Sequence, residues 1–208
     1  MARKIEYYVR HGCKGFGEHK VSLPIDHTLS KAIYKTCNKL EIPILIHFGS
    51  LHKHDYFNPD VAQFEQIAAD YPQATFIAHG PGWWREISAD AGSLVDYPSG
   101  RIVPFGRADR ILERCPNVHA DISGTSGLNA LVRDPIFAMH FLKRHQHKLH
   151  FGTDYPFFLL DVVHDDSPVT VPFGLDRRHF KMLGAMHLNS ETMERIARGN
   201  TLRILDLT

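Results

Sequence analysis

Apolar residues along this chain follow two alternating rhythms. Short, nearly continuous apolar runs, each ending on Gly or a polar residue, are followed by longer segments with apolar residues at helical spacing. The runs at 14–21, 43–49, 74–80, 118–123 and 148–154 read as strands, and helices are predicted at 3–11, 30–40, 59–69, 108–114, 130–145 and 191–207. Within 30–40, for example, Ile33, Cys37 and Leu40 fall on one stripe. A long Gly/Trp-rich loop is expected between the third strand and 108–114, and another at 161–176, rich in Pro, Asp and Val.

The strands lack strict apolar–polar alternation, as expected of strands covered on both faces in a parallel α/β sheet. Each instead carries a polar residue at its C-terminal end: Glu18, His47, His79, Asp121 and Asp154. The intervals between them are 29, 32, 42 and 33 residues, each of a length that holds one strand–helix repeat. The expected fold is therefore α/β, a single domain over 1–208 built of about five βα units. Such folds place their active sites at the C-terminal ends of the strands, so these five positions are where chemistry is expected.

Composition narrows the function classes. Lys and Arg number 24 against 23 Asp and Glu, a formal charge of +1, which gives no electrostatic reason to expect nucleic acid or an anionic membrane as partner. No apolar run approaches the roughly 18 to 20 residues of a membrane span, and the N-terminus shows no apolar signal region, so a cytoplasmic protein is expected. Cys13, Cys37 and Cys115 are widely spaced and form no C-x-x-C, against both a disulfide framework and a Cys-based zinc site. Histidine, at 15 residues, is the unusual count. It is the commonest metal ligand and the side chain that titrates nearest neutrality.

The segments Gly15-Phe-Gly-Glu18, Ile44-Leu-Ile-His47-Phe-Gly49, Phe76-Ile-Ala-His79-Gly80, Phe151-Gly-Thr-Asp154-Tyr-Pro156 and Ile196-Ala-Arg-Gly-Asn200-Thr-Leu-Arg203-Ile-Leu205 carry a resemblance. In order and spacing they resemble the amidohydrolase superfamily, and within it the amidohydrolase-related branch that includes aminocarboxymuconate-semialdehyde decarboxylase-like enzymes. The resemblance runs from about Cys13 to the C-terminus. It implies a (β/α) TIM-barrel with one or two divalent metals at the strand ends, zinc first, with manganese or iron as the other choices. His47 matches the fifth-strand His, His79 the sixth-strand His and Asp154 the eighth-strand Asp, while Glu18 stands where a fourth-strand ligand stands. The family's first strand carries His-x-His or Glu-x-His, and none precedes Glu18 here. The implied barrel is thus incomplete, corresponding to strands 4 to 8. Its end strands, bearing Glu18 and Asp154, would be open edges, so a homo-oligomer is expected.

The resemblance assigns metal binding to Glu18, His47, His79 and Asp154, with Asp154 as the base and His79 as oxyanion holder or acid. Read alone, each histidine is equally a buried residue bonded to backbone, Asp154 a turn or cap residue, and Glu18 a salt-bridge partner of Lys20, which lies on the same side of the strand. Trp83, Trp84, Arg85 and Asp121 are the candidate substrate contacts: the indoles at a pocket mouth or over a helix, Arg85 toward a carboxylate. His52-x-His54 reads as loop and His145-Gln-His147 as solvated polar residues at a helix end. The reaction expected is hydrolysis of an amide, ester or lactone in a small-molecule substrate. Metal-dependent non-oxidative decarboxylation of an aromatic or unsaturated acid is the alternative, and a silent barrel fragment or scaffold the third reading.

Overall fold

A computed structural model describes residues 1–49, 61–91, 95–154 and 177–207. His52 and His54, Tyr155 and Pro156, and the 161–176 segment lie outside them. Five strands, β1 Phe16–His19, β2 Ile44–His47, β3 Phe76–His79, β4 Val118–Asp121 and β5 Leu149–His150, form one sheet in sequence order. Every neighbouring pair is parallel. Helices α1 Ala2–Arg10, α2 Thr28–Leu40, α3 Val61–Asp70, α4 Pro81–Arg85, α5 Arg107–Arg114, α6 Gly124–Val132 and α7 Pro135–Arg144 alternate with them. After β5 come α8 Arg177–Ala185, α9 Ser190–Glu194, a π-helical turn Arg195–Gly199 and α10 Asn200–Ile204. This is part of the wall of a (β/α) barrel, as the sequence predicts.

Register explains the core. Ile44, Phe76 and Val118 are aligned across β2, β3 and β4, and Ile46, Ala78, Ala120 and Leu149 across β2 to β5; all seven are fully buried. They face the helices, as does buried His19, whose Nε2 lies 3.1 Å from Ser30 Oγ of α2. Burying each large aliphatic or aromatic side chain of this kind contributes about 1.5–3 kcal/mol. Because strand side chains alternate, Leu45, Ile77 and His119 form a row on the opposite face, followed toward the strand ends by His47, His79 and Asp121. Between Phe16 and His19 the pairing of β1 with β2 slips, three steps of β1 matching two of β2. This bulge re-aims the strand end that carries Glu18.

Three departures from the sequence reading have local causes. The predicted 130–145 helix is two helices, α6 and α7, because Pro135 has no N–H to donate; it starts α7 instead, with Asp134 accepting from the Phe137 N–H at 3.1 Å. The Gly/Trp loop contains α4, which Pro81 opens directly after Gly80. The outer edge of β5 is not open: Asn200 Nδ2 donates to the Leu149 carbonyl at 2.8 Å, and the Phe151 N–H donates to the Ile196 carbonyl at 3.0 Å. The C-terminal segment thus pairs two of the groups a further strand would have taken.

Candidate active site

At the C-terminal ends of β1, β2 and β3, ligand atoms of Glu18, His47 and His79 all lie within 4.8 Å of one another. Glu18 Oε1 accepts from His47 Nδ1 at 2.5 Å and stands 3.8 Å from His79 Nε2. Asp154 reaches the same histidine nitrogen from beyond β5, its Oδ2 3.9 Å from His79 Nε2. In a flat sheet β1 and β5 would each be about 10 Å from β3, two strand spacings away. Their carboxylates meet at His79 because the sheet is concave, as a barrel wall is.

Close approach of backbone makes this possible. Gly80, at φ 97°, carries no Cβ where one would stand 2.5 Å from the Phe48 carbonyl oxygen and 3.2 Å from the His47 ring. Gly124, at φ 72°, opens α6 beside the site: a Cβ there would lie 3.1 Å from Asp154 Oδ2 and 3.4 Å from His79 Cε1.

The electrostatics assign distinct states to the four groups. Burial would raise Glu18, but the hydrogen bond and charge of His47, with His79 and Lys20, bring its carboxyl below the ordinary range. Burial lowers His47 and outweighs the opposing pull of Glu18, so a neutral imidazole donates to a carboxylate. Burial also acts to lower His79, yet Asp121, Asp154 and Glu18 together hold it above the usual histidine value. Asp154 is raised by burial and by Glu18 and Asp121, an effect His79 and His47 only partly offset.

Two imidazoles and a carboxylate this close make a donor set suited to a divalent ion, with Asp154 alongside. The residues present therefore fit a metal, zinc or manganese by donor type. Asp121, expected as a core-facing carboxylate or a substrate contact, is set against His79. Its Oδ2 lies 3.1 Å from His79 Nδ1, while Oδ1 accepts from the Ser123 N–H at 2.9 Å and Oδ2 from the Ser123 hydroxyl. Trp83 and Trp84 are 0% and 2% exposed and belong to the core: Trp83 packs on Phe48 and Phe64, and Trp84 Nε1 donates to the Asp121 carbonyl. Arg85 is likewise buried, with Asp96 at 3.7 Å and Glu86 at 3.9 Å as ion-pair neighbours beyond hydrogen-bond range. All three are buried, the indoles against Phe64 of α3 and Phe141 of α7, so of the two expected placements the one over a helix holds and the pocket mouth does not.

His145 also departs from expectation. It is buried, with Nε2 2.6 Å from Asp109 Oδ1, and Arg144 reaches both oxygens of that carboxylate from the side. Ser123 is the residue that sequence reasoning passed over. It follows Asp121 by two positions at a strand end, the spacing at which a short hydroxyl side chain folds back on a carboxylate.

Comparisons with known proteins agree with this architecture. A family model described as Amidohydrolase matches residues 2–207. Among solved structures, an uncharacterised TIM-barrel protein from Bordetella bronchiseptica superposes with a TM-score of 0.62 at 16% identity, over 99% of this chain and 61% of that one. A probable 2-pyrone-4,6-dicarboxylic acid hydrolase from Acinetobacter baumannii gives 0.60 at 11% identity, over 99% and 69%. A dihydroxybenzoic acid decarboxylase from Polaromonas sp. JS666, solved with bound manganese, gives 0.54 at 15%, over 99% and 65%. The chain thus spans 61% to 69% of these structures. No curated protein matches it. Among the described residues no helix is long and apolar enough to cross a membrane. With a family model aligned over nearly its whole length, this chain belongs to the amidohydrolase family.

Proposed function

We propose that this chain carries metal-binding residues of a hydrolase acting on a C–N or C–O bond of a small molecule, an amide, ester or lactone. The observation that supports this most is the meeting of Glu18, His47, His79 and Asp154 from four different strand ends around one histidine nitrogen. A divalent ion held by Glu18, His47 and His79 would supply Lewis acidity and lower the pKa of water. Asp154, whose carboxyl burial and the neighbouring Glu18 and Asp121 raise above the ordinary carboxylate range, is the candidate base. It takes the proton released as water adds to the substrate carbonyl and returns it to the departing nitrogen or oxygen. His79, its Nδ1 tied to Asp121, keeps Nε2 directed at the reacting region.

One observation favours the decarboxylase reading. His79 sits among three carboxylates that raise it above the usual histidine value, which suits a proton donor to the carbon that loses CO2. The test pits both against each other. The chain loaded with zinc or manganese is assayed on a panel of aryl esters and lactones and on hydroxybenzoates, with ring opening and CO2 release followed separately. Hydrolysis that falls at least a hundredfold in Asp154→Asn, with an unchanged melting temperature, supports the proposal. CO2 release without hydrolysis replaces it with the alternative, and full activity of Asp154→Asn rejects both.

A further inference from the structure

We infer that Asp121 and Ser123 are positioning residues that fix the tautomer of His79, so that its Nε2 lone pair faces Glu18 and Asp154. This rests on the reading that His79 is a working group of the site. Asp121 Oδ2 is 3.1 Å from His79 Nδ1, and an ionised carboxylate can only accept, so the proton sits on Nδ1. Ser123 holds the carboxylate at both oxygens, through its N–H to Oδ1 and its hydroxyl to Oδ2, with Oγ also 3.4 Å from His79 Nδ1. Trp84 Nε1 anchors the same residue from behind by donating to its carbonyl at 3.0 Å. Both oxygens of Asp121 are therefore committed, and the His79 ring is 5% exposed, with little room to turn.

The arrangement makes Asp121→Asn a directional test. The Ser123 N–H needs an acceptor at the Oδ1 position, so the amide oxygen settles there and the NH2 takes the Oδ2 position, facing His79 Nδ1. A donor at that point forces the proton of His79 onto Nε2, and the lone pair turns away from Glu18 and Asp154. Side-chain size is unchanged.

The experiment uses the metal-free chain labelled with [15N]histidine, recorded at about pH 9 so that the imidazoles are neutral. The His79 signals are assigned by their loss in His79→Gln. The wild type is expected to show the Nδ1–H form in at least tenfold excess, and Asp121→Asn the Nε2–H form. Ser123→Ala, which retains the Asp121 acceptor but loses its hydroxyl tether, is expected to raise the Nε2–H population, and Ser123→Thr to restore the wild-type ratio. If Asp121→Asn does not melt cooperatively, the two Ser123 variants carry the test alone. In parallel, zinc affinity should fall about 10- to 100-fold in Asp121→Asn, the usual effect of losing a ligand's supporting carboxylate. Nε2–H in the wild type, an unchanged tautomer in Asp121→Asn, or Ser123→Ala indistinguishable from wild type overturns the inference, whatever zinc does. A tautomer flip with no zinc binding by any form retains the positioning role and rejects the metal reading of the site.

Discussion

A buried file of histidines predicts a specific loss of stability in mild acid. His119 Nδ1 and His150 Nε2 lie 2.8 Å apart with rings stacked at a centroid distance of 5.0 Å, and His150 Nδ1 lies 3.0 Å from Thr201 Oγ1. Burial, with neighbouring His150, Lys148 and Arg203, lowers His119 to about 3. Burial also lowers His150 to about 4, although Asp121 acts in the other direction. The unfolded chain protonates both near the ordinary value of about 6.5, so between about 6.5 and 4 it binds more protons than the folded chain and stability falls as pH falls. At pH 5 the offset of about 1.5 units, at about 1.4 kcal/mol per unit, amounts to about 2 kcal/mol per residue and about 4 kcal/mol for the pair. Urea unfolding at pH 7 and pH 5 measures this in the wild type and in His119→Phe. The variant loses the hydrogen bond to His150 and starts less stable by about 1–3 kcal/mol, but its further loss between the two pH values should be smaller by about 2 kcal/mol. Groups such as His79 are common to both proteins and cancel in the comparison. Equal pH dependence in the two would refute the argument, because it would mean that His119 does not become charged on unfolding.

Asp109 is buried and held below the ordinary carboxylate range; burial works against this, and His145 and Arg144 outweigh it. Asp109→Leu should destabilise by about 3–5 kcal/mol, since it leaves His145 and Arg144 without their shared acceptor, and the same deficit should be recorded by thermal melting. Gly124→Ala should cost about 1–2 kcal/mol for a side chain at φ 72° and, by crowding Asp154 Oδ2, lower turnover more than the change in melting temperature accounts for. Asn200→Ala removes the donor to the Gln146 and Leu149 carbonyls and should cost about 2 kcal/mol, with faster amide exchange confined to β5 and the C-terminal helices.

The strands were legible because parallel strands covered on both faces must be continuously apolar, and in β2, β3 and β4 the polar residue closing the run is the strand's last. The same logic located Glu18, His47, His79 and Asp154, whose convergence needs only strand order and curvature. What one-dimensional pattern could not carry were choices made by partners far away in sequence. His145 looks solvated beside Arg144 and Gln146, and only α5 bringing Asp109 against it makes it a buried partner. Trp83 and Trp84 look like a pocket rim after Gly80-Pro81-Gly82, yet Phe48 and Phe64 enclose the first indole and the Asp121 carbonyl takes the N–H of the second. The role of Asp121 was hidden for the same reason: its partner His79 is on the neighbouring strand. Helix α8 has no counterpart in the sequence reading, although Met182 and Leu183, with Met186 just beyond its end, bury one face.

A count of imidazoles at one ion decides whether Glu18, His47 and His79 hold a metal together. Zinc K-edge absorption of the chain at saturating zinc should show nitrogen and oxygen donors only, with multiple scattering from two imidazoles. His47→Gln and His79→Gln should each reduce that count to one. Zinc that does not saturate at one site, or an imidazole count unchanged by both substitutions, would contradict the claim that Glu18, His47 and His79 hold the metal.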